Sequence, residues 1–259
     1  MNEPSHPEDT KLQAVFRYGA FYDLLAYAVF QHRQAAKAAE EADSYTTNRF
    51  ARASILASAL SVECTANCLL ATLDIPKALA DEVDRMTPLG KIEACLRLHN
   101  LSPIARGSRE VQLMSELVKI RNDHVHPRAS NIPAELSSPE DGDAHWMLPI
   151  SLEAELWPQL KIPKRPMFWS HESSQAVLKA ITEFYRHLFL TLMASVEGDL
   201  QPMLSSRLEI GSAHIMAEPD EVRRELEGAK EWGVDLEFFG MFLPSGSAPI
   251  PPLRQRGAE

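Results

Sequence analysis

A proline-dense stretch divides this chain. Six prolines fall between Arg128 and Ser170, and Pro127 stands immediately before them. Proline lacks a backbone N–H and disfavours helical geometry in the residue before it, so no long helix runs through this region. On either side, apolar residues return at the three- and four-residue spacing of a helix. The chain reads as helical stretches separated by an irregular insert over 128–170, with a short strand expected near HWMLPISL. A connection this long is uncommon unless it serves a function or is partly disordered.

Ahead of the insert, residues 11–42 read as one long helix, with Val15, Phe16, Tyr22, Leu25, Ala26 and Phe30 at helical spacing. Thr46 or Thr47 opens a second helix that runs to about Leu73. Pro76 suits the first turn of a short helix ending near Met86, and Thr87-Pro88 opens another that ends near His99. Ser108 caps a helix over 108–125, which Pro127 terminates. Beyond the insert the spacing predicts helices over 173–200 and 219–233. The expected fold class is all-α: a helical bundle of four to five main helices with an irregular insert and a C-terminal extension. In domain terms, 1–10 is a flexible N-terminus, 11–200 the bundle, 201–243 a helical extension and 244–259 a Pro-rich disordered tail.

Composition narrows the class. The 259 residues are 45% hydrophobic and 24% charged, with a net charge of −10. That is ordinary globular usage, so the bulk of the chain is neither disordered nor fibrous. An acidic whole removes any argument from global charge but leaves room for a local basic patch. Three cysteines, Cys64, Cys68 and Cys95, do not make a secreted disulfide framework. The polar N-terminus MNEPSHPEDT lacks the apolar run of a leader peptide. The apolar stretch from Ser54 to Leu73 is interrupted by Glu63 and Asn67 and reads as a buried helix, with no membrane span expected. The expected localisation is cytoplasmic.

Polar residues at helical spacing single out two places. In the second helix, Leu56, Leu60, Glu63, Asn67 and Leu70 share a face that looks apolar except for Glu63 and Asn67. A carboxylate on a core-facing stripe is paired, protonated or lines a cavity. Glu63 either fixes packing against a neighbouring helix or partners a buried cation. In the helix over 108–125, Leu113 or Met114, Leu117, Arg121 and His124 share a face, so Arg121 emerges where a core residue is expected. On a continuing helix His126 would lie about 140° round from Arg121. Pro127 pushes His126 out of helical geometry and lets it swing back. A plainer reading also stands: both histidines sit near a helix C-terminus, where the dipole favours a cation. His124 and His126 do not form a metal pair with any nearby ligand cluster, and Cys64 and Cys68 read as small core residues. No metal or cofactor is expected.

The order of three features, SILASALSVECTANCLL, then PLGKIEACL, then LVKIRNDHVHP, resembles the HEPN superfamily (higher eukaryotes and prokaryotes nucleotide-binding domains). Its signature is an Arg, four to six residues and a His, with a polar residue often following the Arg. Here Asn122 follows Arg121, and four residues separate Arg121 from His126. The resemblance covers about residues 10–200. It departs from the pattern in the extra His124 and in the long insert. What it implies is an all-helical, metal-independent endoribonuclease working as a homodimer, with Arg121 and His126 of both chains in one composite site. Asn122 would hold the Arg or the phosphate, and Glu63 would orient Arg121. Asn67 and His124 would support, and His124 is the alternative base. The implied partners are RNA, a second copy and an antitoxin or regulatory protein, in a toxin or defence role. The alternative is a non-catalytic HEPN-like module that binds a protein or nucleotide. From Arg106 to Arg128 five cations, Arg106, Arg109, Lys119, Arg121 and Arg128, face three acids, Glu110, Glu116 and Asp123. The motif region is therefore mildly basic within an acidic protein.

Overall fold

Short polar side chains start several of the helices, and prolines precede others. The structure, a computed structural model, describes residues 14–126, 135–136, 150–151, 155–195, 197–210, 213–216 and 218–240. The expected flexible N-terminus, the disordered tail, Pro127 and most of the 128–154 stretch lie outside the described residues. The described helices are α1 Phe21–Glu40, α2 Ser44–Leu70, α3 Lys77–Asp84, α4 Pro88–Leu98, α5 Arg109–Val125, α6 His171–Arg186, α7 Glu197–Leu204 and α8 Asp220–Gly228. The strands are β1 Val15–Arg17, β2 Glu135–Leu136, β3 Ile150–Ser151, β4 Arg207–Ile210 and β5 Ala213–Met216. The fold is predominantly helical. Thr87 and Ser108 cap α4 and α5, accepting from the amides of Gly90 and Val111. At α2 the cap is Asp43, whose Oδ1 accepts from Thr46 N–H at 3.0 Å, one turn ahead of the expected threonine.

The chain divides into two compact units, with boundaries inside α1, α2 and α6. The first comprises Met1–Ala26, Ser61–Ile104 and Tyr185–Glu259. Its core is an aromatic cluster in which Phe21, Tyr22, Tyr185, Phe189 and Phe239 meet mostly edge to face. A three-stranded antiparallel sheet of order β1-β4-β5 belongs to this unit. Within it Lys91 is buried and donates to Asp84 Oδ1 at 2.6 Å and Asn67 Oδ1 at 2.8 Å. Glu218 accepts from the Ser206 amide with Oε1, while Oε2 is buried without a described partner. Burial pushes its carboxyl up to about 7.

The second unit comprises Tyr27–Leu60 and Ala105–Phe184. The apolar stripe of α5, Leu113, Met114, Leu117 and Ile120, is buried in it, as its spacing predicts. Ser54 donates to the Ala28 carbonyl at 2.8 Å and ties α2 to α1. Ser174 donates to the His171 carbonyl at 2.9 Å, so His32 Nδ1 carries the proton in its 2.8 Å bond to Ser174 Oγ. β2 and β3 form a small antiparallel pair, with Leu136 opposite Ile150, at the place where HWMLPISL suggests a strand.

Four expectations change. Residues 15–17 are a strand and not the start of a long first helix, because a two-way clamp breaks the chain at Gly19. The Gly19 amide donates to Ser206 Oγ, and the Ser206 hydroxyl donates back to the Gly19 carbonyl. A Cβ at Gly19 would stand 3.0 Å from the Leu204 carbonyl oxygen, so the approach needs glycine. The α2 face carrying Leu56, Leu60, Glu63 and Asn67 is not the core stripe: Leu60 is 39% exposed, whereas Ile55 on another face is fully buried. The buried face carries Ile55 and Val62 among Ala, Ser and Thr, small side chains that a hydropathy pattern underrates. The expected helix over 173–200 is two. α6 passes into a π-helical turn at His187–Leu192 and stops at Ala194, whose φ is 50°. The extension over 201–243 is not wholly helical, since β4 and β5 pair within it. Among the described residues, α2 is the one helix long and apolar enough to cross a membrane.

His32 yields a pH test. Burial, and then the nearby charges of His171 and Lys179, lower it to about 4 from an ordinary 6.5. The folded state therefore favours the neutral ring, and its contribution is complete above pH 6.5 and lost as the pH falls toward 4. The loss is about 3 kcal/mol. Urea unfolding across this window should show His32→Asn losing less stability than wild type as the pH falls, while the Glu218 carboxyl, raised to about 7, acts on both proteins alike. Parallel curves would refute the assignment.

Candidate functional site

The end of α5 carries the motif, and its geometry follows from the cap. His126 leaves the helix with φ −119° and ψ 63°, while its amide still donates to the Asn122 carbonyl at 2.9 Å. That half-turned position brings His126 into the same cleft as His124, Asn122 and Asp123. The cleft lies within the second unit and has a volume of about 900 Å³. Its other walls are Arg52 of α2 and the segment following β3, which contributes Trp157, Lys164 and Arg165.

That segment has little regular helix or strand: its own backbone closes it through Trp157 N–H to the Ile162 carbonyl at 2.9 Å and Lys164 N–H to the Glu155 carbonyl at 2.7 Å, and side chains fasten it to the helices. Glu116, buried on α5, accepts with both carboxylate oxygens from the Gln159 amide at 3.0 Å, and its Oε2 accepts from the Leu160 amide at 2.9 Å. A carboxylate taking backbone amides at the head of a turn makes charge-assisted bonds, stronger than neutral ones. Asn48 of α2 donates Nδ2 to the Pro166 carbonyl at 2.8 Å and to the Trp169 carbonyl at 2.9 Å. Trp169 is buried and donates Nε1 to the Pro163 carbonyl at 2.7 Å. Glu116 and Asn48 thus fasten the two ends of the loop that carries Lys164 and Arg165.

The cleft is cationic. Arg52, Lys164 and Arg165 line it beside the two imidazoles, against Asp123 and Glu155. Glu155 is already tied to Lys164 at 2.8 Å, and that bond, then the charges of Lys164 and Arg165, holds its carboxyl below the usual range. Partial burial, and then the charge of Arg52, hold His124 below the ordinary histidine range. At neutral pH His124 is therefore neutral and able to accept a proton. Among the described residues no three His, Cys, Asp or Glu side chains come together as a metal-ligand set.

The expected site residues divide. His124, His126 and Asn122 line the cleft together. Arg121 is half-buried and does not line it; its Nη1 donates to Asn122 Oδ1 at 3.0 Å. Asn122 thus holds the arginine from the cleft side. Glu63 and Asn67 belong to the first unit, where Asn67 accepts from Lys91. Spacing alone did not reveal Arg52, Trp157, Lys164, Arg165 or the anchor Glu116. The basic pair in KIPKRP was visible, but nothing in the sequence sets its register against α5. No family model, no curated protein and no solved structure matches this chain.

Glu116→Ala would leave the Gln159 and Leu160 amides without their acceptor, at a cost of about 2–3 kcal/mol. Hydrogen exchange at those two amides should rise well above that of the α5 core, with Glu116→Gln intermediate. Unchanged protection in Glu116→Ala would show that the loop is held otherwise.

Proposed function

We propose that the cleft binds RNA and cleaves it without a metal ion, as the HEPN resemblance implies. The observation that carries this reading is the sharing of one cleft by His124 and His126 with Arg52, Lys164 and Arg165. RNA contains its own nucleophile. A base takes the 2′-hydroxyl proton, the 2′-oxygen attacks phosphorus, and the bond to the 5′-oxygen breaks as a second group returns a proton. The products are a 2′,3′-cyclic phosphate and a 5′-hydroxyl. His124, neutral at working pH, takes the proton. His126, at the free end of the helix, returns one to the leaving oxygen. The cations stabilise charge on the phosphorane oxygens. Arg121, steadied by Asn122, stands behind this pair.

A homodimer of the kind the resemblance implies would add a second Arg121 and His126. In this reading one chain already holds both imidazoles, so pairing raises local positive charge without completing the acid–base set.

The test is RNA cleavage in excess EDTA by wild type, His124→Ala, His126→Ala and Arg121→Ala, each checked for folding and for association state. Wild type should leave 2′,3′-cyclic phosphate ends, and each histidine variant should lose about a hundredfold or more in rate. The acidic limb of the wild-type rate profile should fall below the ordinary histidine pKa of about 6.5, because His124 is held down. A folded wild type that cuts nothing in a broad RNA panel would sink the catalytic reading in favour of a binding module. Equal cleavage by all four proteins would place the activity elsewhere.

A further inference from the structure

Arg52 takes no part in the proton transfers, and its setting differs from that of several other arginines of this protein. Arg97 pairs with Glu93, Arg109 with Glu183, Arg186 with Asp235 and Arg207 with Glu209. Arg52 is half-buried in the cleft wall and makes no hydrogen bond or ion pair with any described residue. A guanidinium keeps its charge and offers five N–H donors, so withdrawing it from water without an acceptor is costly. Its charge acts on His124, which it holds toward the neutral form. Arg165, also half-buried on the anchored loop, makes no side-chain hydrogen bond with any described residue. Two guanidinium groups and an imidazole around one void leave a place for an anion with several oxygens.

The void is too large for a lone inorganic ion. At about 900 Å³ it falls in the range that takes a nucleotide-sized group. Trp157 is half-buried in its wall and adds indole surface. Indole rings stack on bases whose faces are free, which duplexes withhold. Arg121, by contrast, already engages Asn122.

We infer that Arg52 and Arg165 form a phosphate subsite beside His124 that holds the backbone of single-stranded RNA, with an unpaired base against Trp157. This rests on the RNA reading of the cleft but not on cleavage. It moves the phosphate-binding role from the arginine of the motif to one on α2.

The experiment uses a short fluorescent single-stranded RNA with 2′-O-methyl groups throughout, which cannot be cut by its own 2′-oxygen, and the duplex of the same sequence. Affinity is read by anisotropy over a salt series with the full chain. Arg52→Gln should bind the single strand about tenfold more weakly. Its plot of log affinity against log salt should flatten by about 0.7, the loss of one phosphate contact. Arg52→Lys should retain the wild-type slope with part of the affinity, which guards against a misfolded Gln variant. Arg109→Gln, remote from the cleft lining, should match wild type. Wild-type affinity and slope in folded Arg52→Gln would overturn the subsite, whether or not the protein cuts RNA. Duplex bound as tightly as single strand would overturn the unpaired-base contact. Binding lost in Arg52→Gln, by a wild type that cleaves no unmodified RNA, would keep the subsite and dismiss the nuclease.

Discussion

One buried carboxylate sets the shape of the cleft. Glu116 on α5 receives the backbone amides of Gln159 and Leu160, and that attachment brings an otherwise irregular loop against the helix that carries the histidines. It is one of two anchors, with Asn48, that place Lys164 and Arg165 relative to His124 and His126. The anchor works because a carboxylate has lone pairs for several donors, and because a turn at 158–160 presents two amides in the same direction. Asn48 repeats the device at the other end of the loop, meeting two carbonyls with one amide group. The site is thus built by side chains gripping backbone.

Charge in this protein is organised against its total. The chain carries −10, yet the cleft gathers Arg52, Lys164 and Arg165 around two imidazoles. Several acidic side chains elsewhere are paired with basic ones on the surface, as in Arg97 with Glu93 and Arg109 with Glu183. Those exposed pairs add little stability each. Partial burial, and then the charge of Arg52, hold His124 below the ordinary histidine range, so a proton acceptor stands beside a cation that attracts anions.

Much of the architecture was legible in residues at fixed spacing. Thr87 and Ser108 cap where short polar side chains precede an apolar period, and the α5 stripe from Leu113 to Ile120 is buried as that period requires. The failures share a cause. Val15 and Phe16 fit a helical period by chance, and only pairing with β4 makes them a strand. The α2 face was misjudged because its packed side is rich in Ser, Thr and Ala, whose burial depends on how closely a neighbour approaches. β4 and β5 lie where the sequence reads as a helical extension, since a hairpin is stabilised by partners that local spacing does not contain.

The sequence by itself determined the helical class, the end of α5 and the arrival of His124 and His126 there. These follow from backbone propensity and from a proline that forbids the next turn, both local effects. Tertiary structure alone decided which cations share the cleft. Arg52 is separated from His124 by more than two helices of chain, and Lys164 and Arg165 lie beyond the insert. It also decided that Asn67 serves Lys91 and that Asn122 holds Arg121. Periodicity gives the face of one helix, whereas a site is set by the register between elements, which depends on contacts such as Glu116 with two distant amides.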